Sequence, residues 1–258
     1  MLEKAEKAIL IAIVGGLSAL VWTVICHGRE ATLSRYVTSL DGRTRSQRHN
    51  SVLAAQRIDG LVIQKGGAVS FNEAVGPWTG DRGYVKAPVS YDGELLPAWG
   101  GGVCQTSSTL YNAGLLAGLT IVERHRHEWP PGYVAPGRDA AVAYPSIDLA
   151  LGNPYPWPVR VEAQTEGDAI AIRIVGKREP RWSIAVSGKT RCVTRPAGVR
   201  LTDAPLDGRR RLVTRGRTGF ETAVYRTYCR GAQVVRRELI SVDHYRAMPR
   251  VVRVPSQG

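Results

Sequence analysis

From Gln105 to Leu119 almost every residue is small or apolar, with Leu110, Ala113 and Ala117 on one helical stripe and Tyr111, Leu115 and Leu119 beside it. A helix covered on most of its circumference cannot lie on a surface, so the rest of its domain has to wrap around it. The approach to this helix is equally constraining. Gly100-Gly101-Gly102-Val103-Cys104 sets three glycines before a single cysteine, and without a Cβ such a run lets backbone come close to backbone or to a ligand. A thiol at the start of a helix lies near unpaired amides and the positive end of the macrodipole, and both favour the thiolate. An isolated cysteine is also often just a small buried hydrophobe, so its surroundings have to decide.

Upstream, the spacing of Val52, Leu53, Ala55 and Ile58 predicts a second helix over about 47–58, with Gly60 suited to the position after its end. Residues 61–63 and 68–71 read as short strands, and glycine and proline pairs divide the stretch up to the glycine run into turns. Downstream, Ile121 to His127 alternates like a strand, which puts His125 and His127 on one face. Tyr133 to Tyr144 reads as a Pro-Gly turn followed by a strand. The alternating runs 159–163 and 169–175 flank Glu166-Gly167-Asp168 and predict a hairpin. Beyond about Arg181 the pattern shows only strands, at 182–186, 211–214, 223–228 and 234–241. The expected class is α+β: a mixed domain with two buried helices and several short strands, then a small all-β module.

Residues 8–26 carry no charge, about the length needed to cross a hydrocarbon core. They read as an uncleaved signal anchor after a short cytoplasmic end (residues 1–7), followed by a polar, basic tether over 27–46. The expected location is a bacterial cell membrane, crossed once, with everything after about residue 27 outside the cytoplasm. The net charge of +13 is concentrated at the far end, where residues 181–258 hold 17 Lys and Arg against 5 Asp and Glu. A basic module attracts polyanions; outside the cytoplasm that means an anionic envelope polymer and excludes nucleic acid. Four scattered cysteines with no Cys-x-x-Cys pair argue against a zinc ribbon or a disulfide framework. Cys192 and Cys229 are left open between a disulfide and two free thiols.

Four motifs, in order, closely resemble the VanW domain: Phe71-Asn72-Glu73-Ala74-Val75-Gly76-Pro77, the stretch Gly100 to Ala113, Glu123-Arg124-His125-Arg126-His127, and Pro136-Gly137-Arg138-Asp139-Ala140. The resemblance covers roughly residues 46–176, within an expected domain of 47–178. The segment 181–258 is similar to a G5 domain through Gly216-Arg217-Thr218-Gly219-Phe220-Glu221 and Val234 to Ile240. Departures from the family wording, Glu128, Gly132 and Pro145, spare the thiol and both imidazoles.

The resemblance implies a cell-wall protein and, as described for some members, a cysteine L,D-transpeptidase that cross-links peptidoglycan stem peptides, with Cys104 as nucleophile. It points to His127 as the base, ahead of His125. From position alone, Asp139 would orient the imidazole, the amides near Cys104 and Gln105 would bind the oxyanion beside Gly101 and Gly102, and Arg138 would grip a substrate carboxylate. No cofactor and no metal is expected, although an H-x-H pair with Asp139 is a weaker alternative. Two other functions stay open: a non-catalytic peptidoglycan-binding or adaptor protein with a structural cysteine, and an amidase or peptidase on the same polymer.

Overall fold

The computed structural model describes residues 30–91, 94–177, 182–196, 198–203 and 210–254. The apolar run 8–26 and the end before it lie outside the described residues. Among the described residues, no helix is long and apolar enough to cross a membrane.

The buried helix is α3 (Val103–Leu116) in chain order, after α1 (Arg45–Ile58) and the short α2 (Phe71–Val75). One side of it meets a four-stranded sheet of order β1-β9-β8-β2, formed by β1 (Glu30–Ser39), β2 (Val62–Ile63), β8 (Val159–Thr165) and β9 (Ala169–Lys177). Helix α1 packs on another side. A three-stranded sheet, β3 (Ala68–Ser70), β7 (Ala150–Gly152) and β6 (Thr120–Glu123), and the hairpin β4 (Lys86–Tyr91) with β5 (Glu94–Trp99) complete this part. Its core includes Ile58, Phe71, Leu110, Tyr111, Leu115, Leu119, Leu151, Ile170 and Ile172.

Two expectations change here. Half of the stretch read as a tether is strand β1, antiparallel to β9 from Glu30↔Lys177 to Ser39↔Ala169. Its buried positions are Ser34 and Thr38, with Leu33 and Tyr36 only partly buried against the core. Ser34 Oγ donates to the Ala113 carbonyl at 2.7 Å, and Thr38 and Thr109 share a hydrogen bond at 2.8 Å. Hydroxyls serve on a buried face when their partners are built in, and a hydrophobic pattern does not reveal them. The strand expected within 133–144 is absent; this segment makes only isolated bridges, Ala141 with His125 and Ala143 with Ile147. Its backbone is held by side chains of α3 instead. Ser107 Oγ donates to the Ala140 carbonyl at 2.7 Å, the Ala140 amide donates to Ser108 Oγ at 2.9 Å, and Asn112 Nδ2 donates to the Arg138 carbonyl at 2.6 Å.

The C-terminal module carries only strands among its described residues. One sheet has order β10-β13-β14 (Ser183–Thr194, Gly219–Arg230, Gln233–Tyr245) and the other β11-β15-β12 (Val199–Asp203, Arg250–Val254, Arg211–Thr214), with β11 parallel to β15. Strands β11 and β15 and the full lengths of β13 and β14 go beyond the sequence expectation. Cys229 is a free thiol. The register pairs Cys229 with Ser183 and Cys192 with Phe220, which sets the two cysteine backbones about 30 Å apart at strand rise and rules out a bond between them.

The module is seated on the first domain. Val186 and Ile240 pack against its core, and a Cβ on Gly137 would lie 2.5 Å from Val224 Cγ2. Arg226 Nη1 donates to the Leu119 carbonyl at 2.7 Å, just past the carboxyl end of α3.

Candidate active site

Cys104 is the second residue of α3 and is partly exposed. The turn before it is built for close packing with α1. Gly102 is the N-cap with φ +109°, and a Cβ there would lie 2.3 Å from the Gln47 carbonyl oxygen; one on Gly101 would lie 2.8 Å from that of Ala87. Asn50 Nδ2 donates to the Gly101 carbonyl at 2.9 Å and Ser51 Oγ to the Gly102 carbonyl at 2.8 Å. Gly102 therefore admits α1, and Gly101 admits β4, rather than a ligand.

The thiol donates weakly to the Val142 carbonyl, Sγ to O 3.5 Å, and interacts electrostatically with His127. The carboxylate of Asp139, fully buried, holds the other side of the imidazole. Its Oδ2 accepts from His127 Nδ1 at 2.7 Å and from the His127 amide at 2.7 Å. With Nδ1 committed to Asp139, Nε2 is the nitrogen left for the thiol. Oδ1 accepts from Tyr245 Oη at 2.5 Å and Arg124 Nη2 at 3.1 Å.

The electrostatics follow from these contacts. Burial pushes the Cys104 thiol up, but the neighbouring His127 and its charge outweigh it and bring the thiol below its ordinary value. Burial works against imidazolium as well, yet the Asp139 carboxylate and Cys104 raise His127 to about 9. Burial disfavours ionised Asp139, while its His127 hydrogen bond and the Arg124 charge bring it down to about 2. The arrangement favours a thiolate–imidazolium pair, the activated form of a cysteine nucleophile with its acid and base attached.

Three of the expected residues, Cys104, His127 and Asp139, thus meet. The others do not join them. His125 is 46% exposed and turned to Glu123, Nε2 to Oε1 2.8 Å; strand β6 ends at Glu123, so the expected alternation does not carry both imidazoles to one side. An H-x-H pair with Asp139 is not assembled. Gln105 is buried against β1, donating from Nε2 to the Ser39 carbonyl at 2.7 Å, and its amide already donates to the Gly102 carbonyl at 3.0 Å. Arg138 hydrogen-bonds Asn112, reaches the Val186 carbonyl at 3.3 Å and lies over the Tyr36 ring. It ties α3 to the C-terminal module and has no free fork for a carboxylate.

Sequence reasoning missed four neighbours. Tyr133 lies close to the thiol, and burial followed by the Cys104 charge pushes its hydroxyl well up. Arg124 donates from Nε to the Asp139 carbonyl at 2.7 Å and from Nη1 to both Asp243 oxygens at 2.6 and 2.7 Å. Arg124 stood inside a quoted motif; Tyr245 and Asp243 lie more than a hundred residues away with no local signal.

Residues 46–175 match the family described as "VanW like protein". The chain belongs to the VanW family. Among curated relatives it is 39% identical over 151 residues to the "Uncharacterized protein YoaR" of Bacillus subtilis (strain 168), covering 58% of this chain and 50% of that protein. It is 28% identical over 137 residues to the "Vancomycin B-type resistance protein VanW" of Enterococcus faecalis (strain ATCC 700802 / V583), covering 51% and 50%. The chain spans about half the length of the curated relatives it matches. Among solved structures, the IgA1 protease G5 domain aligns with 30% of this chain and 95% of its own, at 18% identity and TM-score 0.19. The HP0197 G5 domain aligns with 28% and 96%, at 15% identity and TM-score 0.17. The VanW match includes Cys104, His127, Asp139 and Arg124 and stops before Asp243 and Tyr245.

Proposed function

We propose that this VanW protein is a membrane-anchored cell-wall enzyme, a cysteine acyl transferase of L,D-transpeptidase type acting on peptidoglycan stem peptides. The observation that carries the reading is the grouping of Cys104 with His127, whose imidazole is hydrogen-bonded to buried Asp139, at the head of a buried helix. Nucleophile, base and orienting carboxylate are the parts that acyl transfer needs.

In the proposed cycle the Cys104 thiolate attacks the carbonyl carbon linking the third residue of a donor stem to its terminal D-alanine. The tetrahedral intermediate collapses as imidazolium His127 gives its proton to the departing amine, leaving a thioester and free D-alanine. The side-chain amine of an acceptor stem then attacks the thioester and His127 takes the proton. A new amide forms and the thiolate returns with His127 as imidazolium. The helix start around the Cys104 amide supplies the positive end of a dipole to the oxyanion.

The apolar run 8–26 would hold the enzyme at the membrane, with the following residues outside the cytoplasm, and the excess of 17 basic over 5 acidic residues in 181–258 would hold it to anionic wall polymer. The test is turnover of purified muropeptides read by mass spectrometry. Wild type should release D-alanine and form cross-linked dimers, while Cys104→Ala should lose both and still bind sacculi. Equal turnover by Cys104→Ala overturns the enzyme reading. D-alanine release without dimers replaces transfer by hydrolysis.

A further inference from the structure

The Asp139 carboxylate has its acceptor positions filled from two parts of the chain. Oδ2 faces His127 of its own domain; Oδ1 faces Arg124 and, across the junction, Tyr245 at the end of β14. The same phenolic oxygen accepts the Gly137 amide at 2.9 Å, two residues before Asp139. Asp243, two residues earlier on β14, clamps Arg124 with both oxygens. Both acidic groups and Arg124 are nearly inaccessible, with side-chain exposures of 0%, 8% and 6%, so water does not substitute for any of these partners.

We infer that the C-terminal module completes the site: Tyr245, and Asp243 through Arg124, are positioning residues that hold the Asp139 carboxylate against His127. The inference rests on the reading of Cys104 as an activated thiol. The geometry separates aiming from mere docking. A module fastened only for stability has no need to place a hydroxyl donor and an arginine clamp on the one carboxylate that orients the imidazole. The groups facing this carboxylate are His127 and Arg124 from the segment after β6, and Tyr245 from β14. Around them stand Asp243 on Arg124, Tyr111 under the Arg124 ring contact, Arg126 over the Tyr245 ring, and Cys104 and Tyr133 beyond His127. If Tyr245 loses its hydroxyl, Oδ1 keeps only Arg124 and the carboxylate is free to turn from the imidazole. If Asp243 loses its charge, Arg124 neutralises Asp139 alone and weakens its pull on imidazolium. Both changes raise the thiol.

The test is the pH profile of Cys104 alkylation by iodoacetamide in the full chain, followed on the Cys104 peptide by mass spectrometry. Each profile is taken well below that variant's melting midpoint. Tyr245→Phe keeps the ring against Phe220, 5.0 Å between centroids, and is expected to slow alkylation at pH 7 by about tenfold with the midpoint moved up, the loss of one charge-assisted hydrogen bond. Asp243→Asn should shift the midpoint the same way. Tyr225→Phe, which removes a hydroxyl further along β13, should match wild type. Wild-type profiles in both Tyr245→Phe and Asp243→Asn, even with lowered melting midpoints, would reduce the module to a structural brace and overturn the inference. An ordinary thiol midpoint in the wild-type protein would instead overturn the activated-thiol reading itself.

Discussion

At the scale of single residues, the site depends on one buried carboxylate keeping an imidazole charged. The signs can be worked out. His127, raised to about 9 from 6.5, contributes stability that is complete below 6.5 and is lost as pH rises through 9. Asp139, lowered to about 2 from 3.8, contributes stability present above 3.8 and lost as pH falls toward 2. The two overlap between those ordinary values. Asp139→Asn keeps the shape and removes the charge, so its melting midpoint should fall furthest below wild type near pH 5 to 6, by the equivalent of about 1–3 kcal/mol. The gap should narrow above about pH 9, where wild-type His127 is neutral as well. A gap that is the same at every pH would mean that Asp139 serves packing alone. Cys104 alkylation in this variant should also lose its low-pH component, because the imidazolium that lowers the thiol is no longer stabilised.

At the scale of elements, α3 shows why the site was only partly legible in the sequence. Its apolar stripes marked a buried helix, and the glycine run marked a close approach. The partner of that approach was not visible, because α1 meets the turn with Asn50 and Ser51, polar residues that a hydrophobic period skips. Segment 133–144 departs from its strand-like composition for a related reason: side chains on α3 satisfy its backbone, so no ladder forms. The same serine and asparagine face of α3 carries Asp139 toward His127, while His125 follows strand alternation only as far as the strand extends. The glycine turn gives a sharp test. Gly102→Ala meets both a φ of +109° and a carbonyl oxygen at 2.3 Å and should cost about 3 kcal/mol or more. Gly60→Ala, at φ +78° with nothing within 4 Å, should cost about 1 kcal/mol. Thermal or urea unfolding of the two variants checks the ordering, and equal costs would show that α1 yields to the added methyl.

At the scale of the whole molecule, the C-terminal module grips the first domain at two places, through Tyr245 and Asp243 on Asp139 and Arg124 and through Arg226 on the Leu119 carbonyl past the end of α3. This bracketing was invisible in a tail whose sequence showed only short strands and an excess of arginine. Most of those arginines are solvated, and charge pairs at that exposure contribute little. Arg226 differs. It is 8% exposed, pairs with Glu238 from Nε at 2.5 Å, and donates to a carbonyl just past the end of α3. Arg226→Ala leaves that carbonyl without its donor and should lower unfolding free energy by about 1–3 kcal/mol. Arg191→Ala breaks an ion pair whose arginine is 75% exposed and should cost less than about 1 kcal/mol. If Arg226 fastens the module as a unit, its loss should also speed proteolysis in the connection near residue 182 and slow Cys104 alkylation, because Tyr245 is then less often in place. Faster proteolysis with an unchanged Cys104 profile would show that the two ends of the junction dock independently. An Arg226→Ala protein as stable as wild type would place the docking energy in the Val186, Val224 and Ile240 contacts instead.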